Sequence, residues 1–185
     1  MKNKKSMPLY SRVALYGVLT ALALIAGYVE LLLPINFGIP GIKLGLANIV
    51  VVCTLYLLDA RAAVMISFVR ILLSGLLFGN VFGILYSAAG GLCSLLIMIF
   101  AKHVLRFFGV AGVSVLGGIF HNLGQILVAV FVVENIKLVY YLPVLTAAGT
   151  LTGLLIGLLG GEIIKRVPGA KSGASHEQNG KSFRS

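Results

Sequence analysis

An all-α integral membrane protein of six transmembrane helices is the fold class this sequence predicts, and three observations predict it. Of 185 residues, 59% are hydrophobic and only 11% are charged, and the mean hydropathy is +1.04. A soluble domain has no interior large enough to hide that much apolar surface. The apolar residues fall into six stretches, most near the ~20 residues that a helix needs to cross a ~30 Å hydrocarbon layer at about 1.5 Å per residue. The basic residues gather at the ends of those stretches.

The expected spans are 13–33, 44–58, 62–78, 82–101, 110–133 and 139–164. The first follows Met1-Lys2-Asn3-Lys4-Lys5, a basic start that imitates a signal peptide. Its apolar stretch is too long for that role and further spans follow, so it reads as an uncleaved helix. The second and third are short. Helix ends or turns are expected at Pro34-Ile35-Asn36-Phe37-Gly38-Ile39-Pro40-Gly41, Asp59-Ala60-Arg61, Gly79-Asn80, 102–109 and Glu134-Asn135-Ile136-Lys137. The chain thus divides into a basic N-terminus (1–12), a six-helix membrane domain (13–164) and a tail (165–185). The tail is Gly/Ser/Lys-rich and too poor in apolar residues to pack a core.

The net charge of +10 would suggest a nucleic-acid partner in a soluble protein. Here twelve of the fifteen Lys and Arg fall on one side of the predicted bundle: Lys2, Lys4, Lys5, Arg12, Arg61, Lys102, Arg106 and five from Lys165 onward. Lys43 and Lys137 fall on the other, and Arg70 lies within a span. By the positive-inside rule both termini are expected in the cytoplasm, in a multi-pass protein of the cell membrane. No nucleic-acid partner is expected. Cys53 and Cys93 each lie in an apolar stretch without metal-ligand spacing, so they read as packing residues, and no metal or cofactor is expected.

Polar side chains inside spans single out the candidate site. Arginine at mid-membrane costs about 2.5–3.5 kcal/mol on insertion scales, so Arg70 is expected to face a polar interior or a ligand. In the fifth span His121 and Gln125 share a face at i, i+4, next to Asn122. The second span opens with Lys43, followed by Asn48 about one turn deeper, and its free N–H groups, dipole and lysine are suited to an anion. Glu30 closes the first span on the same side. A shared, outward-leaning pocket of Glu30, Lys43, Asn48, Arg70, His121, Asn122 and Gln125 is therefore expected to bind a polar or anionic head group. Against it stand three structural alternatives: an Arg70–Glu30 pair, Lys43 as an interfacial snorkeller, and His121, Asn122 and Gln125 as interhelical hydrogen-bonding groups. The twenty-three glycines include small-xxx-small pairs such as Gly149/Gly153 and Gly153/Gly157, which bring helices close together.

Three motifs carry a family resemblance. They are Pro40-Gly41-Ile42-Lys43-Leu44-Gly45-Leu46-Ala47-Asn48, Val69-Arg70-Ile71-Leu72-Leu73-Ser74-Gly75-Leu76-Leu77-Phe78-Gly79, and Gly117-Gly118-Ile119-Phe120-His121-Asn122-Leu123-Gly124-Gln125. Tyr140-Tyr141-Leu142-Pro143 and Gly149, Gly153 and Gly157 extend it. Together they closely resemble the Gx transporter family, whose members are labelled heptaprenyl diphosphate synthase component I. The resemblance implies a bundle like the substrate-binding S components of energy-coupling-factor transporters, which bind substrate from outside and pair with a coupling subunit. The first helix here lacks a clean pair of AxxxA motifs.

The synthase label meets a chemical obstacle. Prenyl chain elongation ionises an allylic diphosphate held by magnesium on paired aspartate-rich motifs, and Asp59 is the one aspartate in this chain. No catalytic residues are therefore assigned. The expected role is a membrane-embedded binding or transport component whose ligand is a small molecule, isoprenoid, quinone or vitamin-like, with a coupling or other membrane subunit as a further partner. The alternative is a non-catalytic accessory subunit in isoprenoid or menaquinone metabolism or in quinone-linked extracellular electron transfer.

Overall fold

The computed structural model describes residues 8–32, 45–78, 81–105 and 107–167. The six helices are α1 (Leu9–Leu32), α2 (Leu46–Leu57), α3 (Ala60–Phe78), α4 (Val81–Val104), α5 (Val110–Val133) and α6 (Leu142–Arg166). Five helical stretches are long and apolar enough to cross a membrane. Lys43, the Pro34 to Gly41 turn, Gly79-Asn80, Arg106, the first seven residues and the tail from Pro168 lie outside the described residues.

Helix boundaries follow local chemistry. Asp59 Oδ1 accepts from the Ala62 N–H at 2.7 Å and starts α3, so the single aspartate is occupied as a helix cap. Lys102 Nζ donates to the Leu55 carbonyl and lies 4.9 Å from the Tyr56 ring centroid. A cation thus meets a buried carbonyl in the last turn of α2, where the helix dipole favours it. The sixth span was expected to begin at 139, but residues Ile136–Tyr141 form a 3-10 turn and α6 begins at Leu142. Pro143 is the reason: it lacks an N–H and fits only a helix's first turn.

Short connections make α2 to α6 successively antiparallel, and the contact of Glu30 with Gly45 and Leu46 puts the end of α1 beside the start of α2. The starts of α1, α3 and α5 and the ends of α2, α4 and α6 therefore share one end of the bundle. That end carries Arg12, Arg61, Lys102, Lys165 and Arg166; we call it the basic end. The most extensive packing joins α5 to α6 and α4 to α5, while α1 rests on α2 and α3, and α2 also meets α3 and α6.

α2 is mostly apolar, and Val50 to Leu55 are buried without interruption, as expected of a helix surrounded by others. Its 12 residues span about 18 Å, well short of the ~30 Å hydrocarbon layer. α1 is its opposite. Ala23 and Thr20 are buried, whereas Val13, Val18, Leu22 and Ile25 are each more than half exposed. In a bilayer those side chains meet lipid.

The driest part of the core lies toward the basic end. There Val52 and Leu55 of α2 meet Ala63 of α3, Met98 and Ala101 of α4, Val113 of α5 and Ile156 of α6. Glycine lets α5 and α6 approach almost backbone to backbone. A Cβ on Gly153 would stand 2.7 Å from the Ser114 carbonyl oxygen, and one on Gly157 would stand 2.5 Å from Ala111 Cα. Both distances are shorter than van der Waals contact permits, so Gly149, Gly153 and Gly157 set the α5–α6 spacing.

Candidate functional site

Bordering that core, with Val52, Met98 and Ile156 belonging to both, a cavity of about 50 Å³ lies in the interior of the bundle. Four of the sequence-predicted residues line it: Asn48 from α2 and His121, Asn122 and Gln125 from α5. His121 and Gln125 share a face as their spacing requires. Asn122 is turned so that its Nδ2 donates to the Leu145 carbonyl of α6 at 2.6 Å.

Glu30 and Arg70 do not line the cavity; they stand behind its α2 wall. The Glu30 carboxylate accepts from the Gly45 N–H at 2.7 Å and from the Leu46 N–H at 3.1 Å. The anion suited to the start of α2 is thus supplied by the chain itself, where the helix dipole favours it. Gly45 enters the helix at φ 74°, and a Cβ there would stand 2.9 Å from Ile156 Cδ1. The positive φ is what calls for glycine, since the end of the Ile156 side chain can move aside.

From α3, Arg70 Nη2 donates to Asn48 Oδ1 at 3.3 Å, while its buried Nε has no hydrogen-bond acceptor among the described residues. Glu30 and Arg70 form no ion pair within 4.0 Å, so neither the direct pair nor an arginine in the cavity is what the structure shows. Asn48 links the two layers, touching Arg70 on one side and the cavity on the other.

Sequence reasoning missed the hydroxyls Ser94, Ser114 and Thr152, and the glycine walls Gly45, Gly117 and Gly153, all of which line the cavity. The hydroxyls are inconspicuous for a physical reason. A helical Ser or Thr satisfies itself by donating to the preceding turn, as Thr152 Oγ1 does to the Ala148 carbonyl at 3.0 Å. It can therefore sit in an apolar helix without a visible partner. The available signal was adjacency to glycine, since Gly90 and Gly91 precede Ser94 and Gly149 and Gly153 flank Thr152.

Chemically, the site can offer hydrogen bonds to a small polar group. Among the described residues no charged side chain lines the cavity, and no group of three or more His, Cys, Asp and Glu gathers to hold a metal.

The fold and the cavity define a polytopic helical membrane protein with a polar chamber inside an apolar bundle. The family described as Heptaprenyl diphosphate synthase component I matches residues 19–163, and the chain belongs to that family. No curated protein and no solved structure matches it.

Proposed function

We propose that the protein is a membrane-embedded binding component for a small molecule, taking the molecule's polar head into the cavity between α2, α4, α5 and α6 as the binding step of transport. The observation that carries this is the placement of amide, imidazole and hydroxyl side chains around one chamber beside a core cluster of apolar residues. Polar side chains that converge on one enclosed chamber are the usual setting of a small-molecule site, and they support a chamber that is filled by something other than the chain. The basic end lies in the cytoplasm, on the charge asymmetry along the sequence. The cavity lies near the middle of α5 and α6. A coupling or other membrane subunit would supply the energy for movement.

The family's name supports a second role, as a non-catalytic partner of a prenyl diphosphate synthase that presents a lipid substrate or takes up an isoprenoid or quinone product. Asp59 is committed to capping α3, so aspartate-bound magnesium chemistry would fall to the partner. Mass spectrometry of small molecules co-purifying with the intact protein separates the two roles. A water-soluble metabolite retained by the wild type and lost in His121→Ala supports the transport role, and a retained isoprenoid or quinone supports the accessory one. A wild-type protein that retains nothing above the His121→Ala background contradicts both.

A further inference from the structure

We infer that the group received by this cavity is uncharged and carries both a hydrogen-bond acceptor and a hydrogen-bond donor, as a carboxamide, lactam or imide does. The inference rests on the binding role proposed above and specifies its ligand.

Two asparagines are locked in opposite senses. A guanidinium only donates, so the Asn48 atom that meets Arg70 Nη2 at 3.3 Å is its carbonyl oxygen. The amide Nδ2 is thereby turned toward the cavity wall, 3.3 Å from the position a Cβ would take on Gly45. A backbone carbonyl only accepts, so the Asn122 atom 2.6 Å from the Leu145 oxygen is its amide nitrogen. That nitrogen faces α6, leaving Oδ1 on the other side of the amide as an acceptor. Thr152 donates its proton to the Ala148 carbonyl, so it too presents an oxygen that accepts.

Asn48 thus offers a fixed donor and Asn122 and Thr152 fixed acceptors, while the Gln125 amide and the His121 imidazole at the same wall can serve either role. The Ser94 and Ser114 hydroxyls can rotate into either role. A carboxylate or phosphate, which only accepts, would meet the Asn122 and Thr152 oxygens as repulsive neighbours. Among the described residues, the positive groups that would favour an anion are engaged elsewhere: Arg70 with Asn48, and the first N–H groups of α2 with Glu30. The negative charge of Glu30 opposes a second anion at that helix start. About 50 Å³ accommodates about three to five waters, the scale of one amide-sized head and not of a whole large ligand.

Acetamide and acetate match in shape and size and differ in charge and in donor capacity. Saturation-transfer NMR with the full chain in detergent micelles is expected to show saturable binding of acetamide and at least tenfold weaker binding of acetate. Asn48→Asp keeps an oxygen for Arg70 while replacing the donor by an acceptor. It is expected to weaken acetamide binding at least tenfold without lowering the melting temperature. Acetate binding as well as acetamide, or acetamide binding unaffected by Asn48→Asp, overturns the inference. If neither probe saturates while a metabolite still co-purifies, the binding role stands and the neutral-head inference fails. If neither saturates and nothing co-purifies, both fail.

Discussion

Arg70 shows how magnitudes separate a structural role from a functional one. Arg70→Met removes a mid-helix charge that costs about 2.5–3.5 kcal/mol on insertion scales, and leaves Asn48 Oδ1 unpaired at about 1–3 kcal/mol. The two effects oppose each other, so the melting temperature in detergent is expected to change little or rise slightly. Asn48 loses the contact that orients its amide, so retention of a co-purifying molecule is expected to fall several-fold. A large loss of stability with retention unchanged in the folded fraction would make Arg70 purely structural. Glu30 contributes differently. Glu30→Gln exchanges a charge-assisted cap on the Gly45 and Leu46 N–H groups for a neutral one, which is expected to cost about 1–2 kcal/mol. Thermal unfolding followed by circular dichroism measures it. Asn48, His121, Asn122 and Gln125 were legible as site candidates because strongly polar side chains are rare in spans. Ser94, Ser114 and Thr152 were not, because a helix satisfies hydroxyls internally. That Arg70 stands behind Asn48 depends on how α3 packs against α2, which no local pattern in the sequence encodes.

Among the elements, α2 and α6 depend most on glycine. Gly45 holds a positive φ and admits Ile156 Cδ1 beside it, and Gly153 lies against the backbone of α5. Gly153→Val would force α5 and α6 apart and is expected to destabilise the bundle by about 1–3 kcal/mol. Thr152→Val one residue away preserves shape and is expected to leave the melting temperature nearly unchanged. Equal effects of the two would contradict the close α5–α6 approach. The six helices were readable from hydropathy because each stretch is apolar and bounded by charge, proline or glycine. The start of α6 was misplaced by three residues because the apolar run continues through the 3-10 turn, and Pro143 decides the boundary. The centrality of α2 was also hidden: its length hinted at a helix that does not reach both faces, but only packing shows it surrounded by α1, α3 and α6.

For the whole molecule, the charge asymmetry predicts that the basic end faces the cytoplasm. In a Cys53→Ala, Cys93→Ala background, Lys137→Cys is expected to react with a membrane-impermeant thiol reagent on intact cells. Lys165→Cys is expected to react only after permeabilisation, and the reverse pattern would invert the bundle. The central claim is that the polar chamber, rather than the lipid-facing surface, holds the ligand. Native mass spectrometry of the intact protein, wild type beside Ser94→Leu, tests it most directly, because leucine at that position adds apolar volume at the wall of a chamber of about 50 Å³. A bound small molecule is expected on the wild type and is expected to be lost from a Ser94→Leu protein that remains folded. An unchanged bound mass on that folded variant would contradict it.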